Sequence, residues 1–502
     1  MYSLAQNKLN DKSFGFFLLL AGIAVAVSAA SYVLWSLELK WALFGFMGLL
    51  FPFVLAMVPN VQRFLLGLLI FAIPLNADYN FMLHPSPGGA DAISLGLTDI
   101  LLAILLGHWL IQTVKLKQPG AIRFFPAITW PTLALIVMSG ISMLAAKDLL
   151  WSAFDLINFV KALLFFLFLA NNLRKREDIS FVLHAFFLGL LVQTLIIALQ
   201  YYKGANIGLM GLGEPSTILA FEMEMADIAR PGGTIGHCNH LARYVGLLLP
   251  IAYILSFVSK SRSQRWFAGL TSIAGTVALI YTLTRSSWMA LGLSIALMLP
   301  YMFVYRLFSL RILSKVAFSG LILAGLIAVF SQVIWGRLTT YDLGSARTRV
   351  TTAKVAWKII QDHPLIGIGI NNYGSVLPQY WSAEDRFTKR AAVHNTFLLY
   401  AAEIGLIGFG AFLWLIISFF LRIRKAMHSR SRYLTAVAIG VMGSFAGFML
   451  AALADKSYKE NFTLLLVFWG LAAIIEAIIR LDDDYRQATL ALLGSRKLHY
   501  EL

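Results

Sequence analysis

The chain has 502 residues, of which 59% are hydrophobic and only 13% are charged, with a mean hydropathy of +0.75. A soluble domain carries about 25% charged residues, so this composition excludes an ordinary soluble enzyme. The net charge of +16 would suggest nucleic acid in a soluble chain; here its placement marks topology, and no nucleic-acid partner is expected.

Apolar runs of about 18 or more residues recur along the chain, each long enough to cross the hydrocarbon as a helix. The alternation of a barrel is absent, and open sheets cannot satisfy their backbone in lipid. The predicted fold is therefore all-α: a polytopic integral membrane protein. Cys238 is the single cysteine, which rules out an internal disulfide framework and any multi-cysteine metal site. The first apolar run, 14–36, follows Lys8 and Lys12 and reads as an uncleaved first helix, because more spans follow at once. Further helices are predicted near 41–58, 63–83, 93–114, 125–145, 151–173, 179–201, 240–258, 266–283, 286–305, 316–334, 394–421, 433–454 and 462–480, about fourteen in all.

Lys115, Lys117 and Arg123 fall in one connection, Arg174, Lys175 and Arg176 in another, then Lys260, Arg262 and Arg265, Arg306, Arg311 and Lys315, and Arg422, Arg424, Lys425, Arg430 and Arg432. All five connections lie on one side of a fourteen-helix arrangement. The positive-inside rule makes that side cytoplasmic, with both termini. Two connections on the other side are long, 202–239 and 335–393, and connections of that length are commonly functional. The second holds an amphipathic stretch, Arg349 to Gln361, and a break at Pro364, Gly367 and Gly369.

Ionisable residues near the membrane are costly and often functional. Arg285 sits in a tight turn between two apolar helices, where it is either functional or a snorkelling helix-end residue. Arg349 opens the amphipathic stretch, a place where surface arginines are common. His394 and Asn395 begin a span, and Glu403 lies two to three turns further in, where it could serve helix packing. Arg230 and Arg243 flank the glycine-rich Pro231–His240 stretch, which also holds Asn239. Singly these signals are weak, but they converge on one face. Arginine forks match phosphate oxygens, and a histidine can accept a hydroxyl proton at neutral pH. Together, without a carboxylate-rich metal site, they describe metal-independent transfer from a diphosphate donor.

His394-Asn-Thr-Phe-Leu followed by Ala402-Glu-Ile-Gly-Leu-Ile-Gly408 resembles the most specific motif of the O-antigen ligase and Wzy-polymerase superfamily. Gly233-Thr-Ile-Gly-His-Cys-Asn239, the Thr284-Arg-Ser turn, and Arg349 before the Pro364-Leu-x-Gly-x-Gly element accompany it in order. One departure is His237-Cys238, where the family commonly has Asn-Pro. The resemblance implies a GT-C-like glycosyltransferase of the bacterial inner membrane with two large periplasmic loops and no cofactor. It implies an undecaprenyl-diphosphate-linked glycan donor, a lipid A-core or lipid-linked glycan acceptor, and membrane lipids around it. In these terms 202–432 is the ligase or polymerase core, between N-terminal helices (1–201) and C-terminal helices with a cytoplasmic tail (433–502).

The resemblance makes His394 the base on the acceptor and puts Arg285 and Arg349 on the diphosphate; Arg230 is expected to join them there, with Asn395, Glu403, Asn239 and Arg243 in support. Ligation and polymerisation need the same cradle and base, and protein glycosylation is a third outcome. A lipid-linked glycan transporter is the alternative of another class. It predicts repeats and midplane polar residues, whereas these residues gather at the outer face.

Overall fold

The computed structural model describes residues 54, 56–85, 89–116, 122–223, 226–307, 343–381 and 392–500, with isolated positions between 325 and 335. Residues 1–65 and 66–502 are separate compact units. Helices expected at 14–36, 41–58 and 316–334 lie wholly or largely outside the described residues.

Among the described residues nine helices are long and apolar enough to span a bilayer, and the protein is a mostly helical, polytopic membrane protein. In chain order the elements are α1 (Val61–Ala72), the strands β1 (Asp78–Phe81) and β2 (Ile93–Gly96), α2 (Leu97–Leu116), α3 (Pro126–Ser142), α4 (Leu149–Asn172) and α5 (Arg176–Lys203). The strands β3 (Leu219–Met223) and β4 (Ala226–Arg230) precede α6 (Cys238–Val258), α7 (Arg262–Tyr281) and α8 (Arg285–Val304). Then come α9 (Leu343–Asp362), α10 (Tyr373–Tyr380), α11 (Thr396–Ala426), α12 (Arg432–Ala452), the short α13 (Ser457–Glu460) and α14 (Phe462–Tyr500).

The largest departure from the sequence reading is at 63–83 and 93–114. The helix stops at Ala72, and an antiparallel hairpin pairs Asp78 with Gly96 and Phe81 with Ile93. Pro74 is the physical reason: it has no N–H to give and disfavours helical geometry at Ile73. The residues after it alternate polar and apolar, Asn76, Asp78 and Asn80 against Ala77, Tyr79 and Phe81, which is the period of a strand. The freed carbonyl of Pro74 accepts from Gln193 Nε2 at 3.2 Å and Thr234 Oγ1 at 2.6 Å.

α14 runs through the middle of the bundle, with 94% of its spanning stretch buried. α12 packs closely on α6 and α8 because it offers small residues to them. A Cβ on Gly440 would stand 2.8 Å from Ile251 Cα, and one on Gly447 2.8 Å from the Ala290 carbonyl oxygen.

Clustered cations among the described residues collect at one end of the bundle. Arg422 pairs with the buried Glu476 at 2.6 Å, Arg123 with Asp484 at 2.7 Å and Lys425 with Asp483 at 3.1 Å. Arg480 donates to the carbonyls of Ala170 at 2.7 Å and Asn171 at 3.3 Å, and to that of Leu173. Arg176 stacks over Tyr433 at 4.6 Å. These loops anchor the bundle.

Connections at the opposite end carry structure of their own. Glu214, in the 202–239 connection, accepts from Gln200 at 2.8 Å and from the amides of Ile207 and Leu209 at 2.6 and 2.5 Å. Burial works against its charge, yet these donors hold its carboxyl below the usual range. Asp148 caps α4 by accepting from Leu150 N at 3.0 Å and Trp151 N at 3.1 Å. The same carboxylate meets His84 Nε2 at 2.7 Å, which ties the hairpin connection to α4.

Candidate functional site at the convergence of three helix N-termini

α6, α8 and α11 all begin at the end opposite the cation cluster, with their first residues at Cys238, Arg285 and Thr396. Helix N-termini expose unpaired amides and partial positive charge, and arginines accompany them. Arg230, the last residue of β4, donates from Nε to the Thr282 carbonyl at 3.1 Å and from Nη2 to Asn239 Oδ1 at 3.4 Å. Asn239 Oδ1 also accepts from Thr284 Oγ1 at 3.2 Å. Arg230 and Asn239 thereby fix the turn that presents Arg285. Leu283 in that turn has φ +50°, an uncommon conformation for a leucine, and it brings α7 directly into α8.

Arg243, one turn into α6, is 4% exposed. It donates to Ser287 Oγ at 2.6 Å, Ser286 Oγ at 2.9 Å and Asp455 Oδ2 at 3.2 Å. A buried charge is tolerated when paired and hydrogen-bonded in this way. The Asp455 carbonyl in turn accepts from Thr396 N at 3.2 Å and Thr396 Oγ1 at 2.8 Å. Arg243 and Asp455 thus connect the start of α8, which carries Arg285, to the start of α11, beside His394. Asn395 caps α11 by accepting from Leu398 N at 3.0 Å, and its Nδ2 donates to the Leu453 carbonyl at 3.0 Å. His394 and Arg285 are both half-buried, whereas Arg349 on α9 is exposed yet within electrostatic reach of Arg243.

Glu403 has a different setting. It is fully buried and accepts from the amides of Asn371 at 3.0 Å and Tyr373 at 3.3 Å. Lys459 pairs with it and with Asp155, the latter at 3.4 Å. Around it, two of the sequence motifs lock together. Ile368 N donates to the Ala402 carbonyl at 3.2 Å, Gly369 N to that of Glu403 at 2.9 Å, and Leu406 N to that of Pro364 at 2.7 Å. α11 kinks at Gly405, where φ is +68° and ψ 178°. The Pro-Leu-x-Gly-x-Gly element docks into the kink.

A Cβ on Gly405 would stand 2.2 Å from the Leu365 carbonyl oxygen, and one on Gly367, φ +71°, 2.4 Å from the Glu403 backbone. Gly405→Ala is therefore expected to cost at least about 1–3 kcal/mol through the left-handed backbone alone, with the clash added. The check is the yield and thermal midpoint of the detergent-purified variant, both of which should fall well below wild type.

Named bonds therefore join Arg230, Asn239 and Arg243 to the turn that carries Arg285 and, through Asp455, to the start of α11 beside His394 and Asn395, and Glu403 is set in a packing core. Sequence reasoning missed Asp455, Lys459, Asp155 and His240. The first two lie in the charged run Asp455-Lys-Ser-Tyr-Lys459-Glu between two apolar helices, where a short polar connection should have drawn attention. Asp155 carried the usual signal of an acid inside an apolar span. His240 meets Asn461 Nδ2 at 3.3 Å. Among the described residues no three or more His, Cys, Asp or Glu side chains stand together as a metal-ligand set.

No curated protein matches the chain. A family model described as O-antigen ligase matches residues 267–413, a stretch from α7 through the kink of α11 that includes Arg285, Arg349, His394, Asn395 and Glu403 and leaves out Arg230, Asn239 and Arg243. Over this stretch the chain is similar to the O-antigen ligase family, the family that its motifs resemble.

Proposed function

We propose that the protein is a metal-independent glycosyltransferase of the bacterial inner membrane. On this reading it moves a glycan from an undecaprenyl-diphosphate-linked donor to an acceptor hydroxyl at the periplasmic face, as an O-antigen ligase does. The observation that carries the reading is the bonded path from the Arg285 turn through Arg243 and Asp455 to the helix start beside His394. It ties a cationic cradle to a candidate base in one rigid unit.

In the proposed reaction His394 takes the proton of the acceptor O–H as the oxygen attacks the anomeric carbon. The bond from that carbon to the diphosphate oxygen breaks, and undecaprenyl diphosphate leaves with the bonding pair. Arg285 and Arg349, with the helix N-termini behind them, meet the growing charge. Arg230 and Asn239 hold the Arg285 turn, and Arg243 holds the two helix starts in register. Glu403 supports the same geometry from below by fixing the kink of α11.

On this reading the positive-inside rule turns the cation-rich end to the cytoplasm, where both termini are expected, and the cradle to the periplasm. The core is proposed as residues 202–432, flanked by 1–201 and 433–502. Asp455 reaches it from the C-terminal stretch.

Arg285→Lys keeps the charge and loses the bidentate fork. It is expected to lower transfer about 10- to 100-fold, measured as product formed per molecule of purified enzyme. Near-normal turnover would remove Arg285 from diphosphate contact. The reaction type is read from a strain lacking the gene. Long chains accumulating on the lipid carrier above a bare lipid A-core indicate ligation, and single repeats alone indicate polymerisation.

A further inference from the structure

The segment that brings Asp455 to Arg243 also closes a second compartment. A mostly polar cavity of about 180 Å³, about ten times the room one water needs, lies between the β1–β2 hairpin, α4 and residues 458–463. The hairpin gives it Asp78 and Asp91, α4 gives Asn158 and Phe159, and the segment gives Tyr458 and Asn461. Asn461 links it to the arginine cluster. Its amide meets His240, and His240 feels the charges of both Asp455 and Arg243.

The charge of this cavity is opposite to that of its neighbour. The lysine that lines it, Lys459, is committed to the carboxylates of Glu403 and Asp155, and Asp155 lines the cavity too. Lys161 stands outside the lining, though its charge reaches Asp78. It pairs with Asp99 at 3.0 Å and donates to the Ser94 carbonyl at 2.6 Å. Asp78 and Asp91 are left to set the sign. Asn158 makes no hydrogen bond within the protein among the described residues, although it lies on a spanning helix three residues beyond Asp155. A polar side chain at such a place is costly without a function, and a carboxamide both donates and accepts as a hydroxyl does. Phe159 and Tyr458 add flat apolar surface beside these polar groups, the mix that a sugar ring presents in return.

We propose that this cavity is a sugar subsite. It takes a neutral or amino-bearing hexose unit of the glycan and discriminates against carboxylated sugars, which Asp78 and Asp91 repel. The proposal rests on the glycosyltransferase reading and divides the work of the two compartments: the cationic one holds the diphosphate, the acidic one holds the glycan.

The test uses the full chain in nanodiscs with two probes. One is undecaprenyl diphosphate; the other is the glycan released by mild acid from the lipid-linked pool of a strain lacking the gene. Asn158→Leu is expected to weaken glycan binding tenfold or more and to leave undecaprenyl diphosphate binding unchanged. Arg285→Lys is expected to do the reverse. Asp91→Ala, on the exposed hairpin and away from the spans, repeats the glycan arm should Asn158→Leu fail to fold. Digalacturonate should bind at least tenfold more weakly than a neutral disaccharide.

Wild-type glycan affinity in the folded cavity variants would overturn the subsite and leave the transferase reading standing. If neither probe binds the wild-type protein, both fall. In turnover assays a raised KM for the lipid-linked donor assigns the sugar to the donor, and a raised KM for the acceptor assigns it to the acceptor. An unchanged KM for both overturns the subsite.

Discussion

His394→Ala is expected to lower glycan transfer by about 10²- to 10⁴-fold, the usual worth of a positioned general base, without unfolding the protein. The separation of the two effects follows from the cap geometry. The side chain that closes the first turn of α11 belongs to Asn395, which accepts from Leu398 N, and the next residue is anchored through Asp455. Removing the imidazole therefore leaves the helix start in place. Turnover of the purified variant, measured beside its thermal midpoint, gives the check. Transfer at the wild-type rate by a folded His394→Ala protein would take the histidine out of the chemistry.

Lys459→Met is expected to produce the largest loss of stability, about 3–5 kcal/mol, the usual cost of removing one partner from a buried ion pair. Lys459 and Asp155 are 1% and 4% exposed and Glu403 is not exposed at all. Without the ammonium, two carboxylates would remain buried together. Glu403 could not turn away, because the amides of Asn371 and Tyr373 hold it. The variant should accumulate poorly and elute as aggregate in detergent. Adding Glu403→Gln and Asp155→Asn should restore folding, since amides tolerate burial without a counter-charge. A soluble, monodisperse Lys459→Met protein with a wild-type midpoint would show that the triad contributes little.

The spans were legible because lipid demands long apolar runs and helices satisfy their own backbone; from α3 to α6 and α11 to α12 the expected ends fall within a few residues of the observed ones. The β1–β2 hairpin was obscured because Ala77, Tyr79 and Phe81 extend an apolar run past Pro74, and average hydropathy does not register the change of period. Arg230, Arg285 and His394 could be named from residue chemistry and motif order. Their connection could not, because it passes through Asp455, 212 positions from Arg243. Glu403 and the Pro364–Gly369 element follow the same pattern. Their order was legible as motifs, with a packing role already open to Glu403, but not their contact: two backbone segments interlock at Gly367 and Gly405, where no side chain fits.

On the proposed function, the arginine-lined end carries glycan transfer from a lipid diphosphate without a metal. This is tested most directly with the purified full chain in proteoliposomes, supplied with undecaprenyl-diphosphate-linked glycan and acceptor in the presence of EDTA. Released undecaprenyl diphosphate and newly linked glycan are counted together. One diphosphate is expected to be released for each glycan joined, at a rate that EDTA leaves unchanged and that Arg285→Lys lowers. Glycan crossing the membrane with its lipid link intact, or transfer that stops with EDTA and returns with Mg²⁺, would contradict the proposed function.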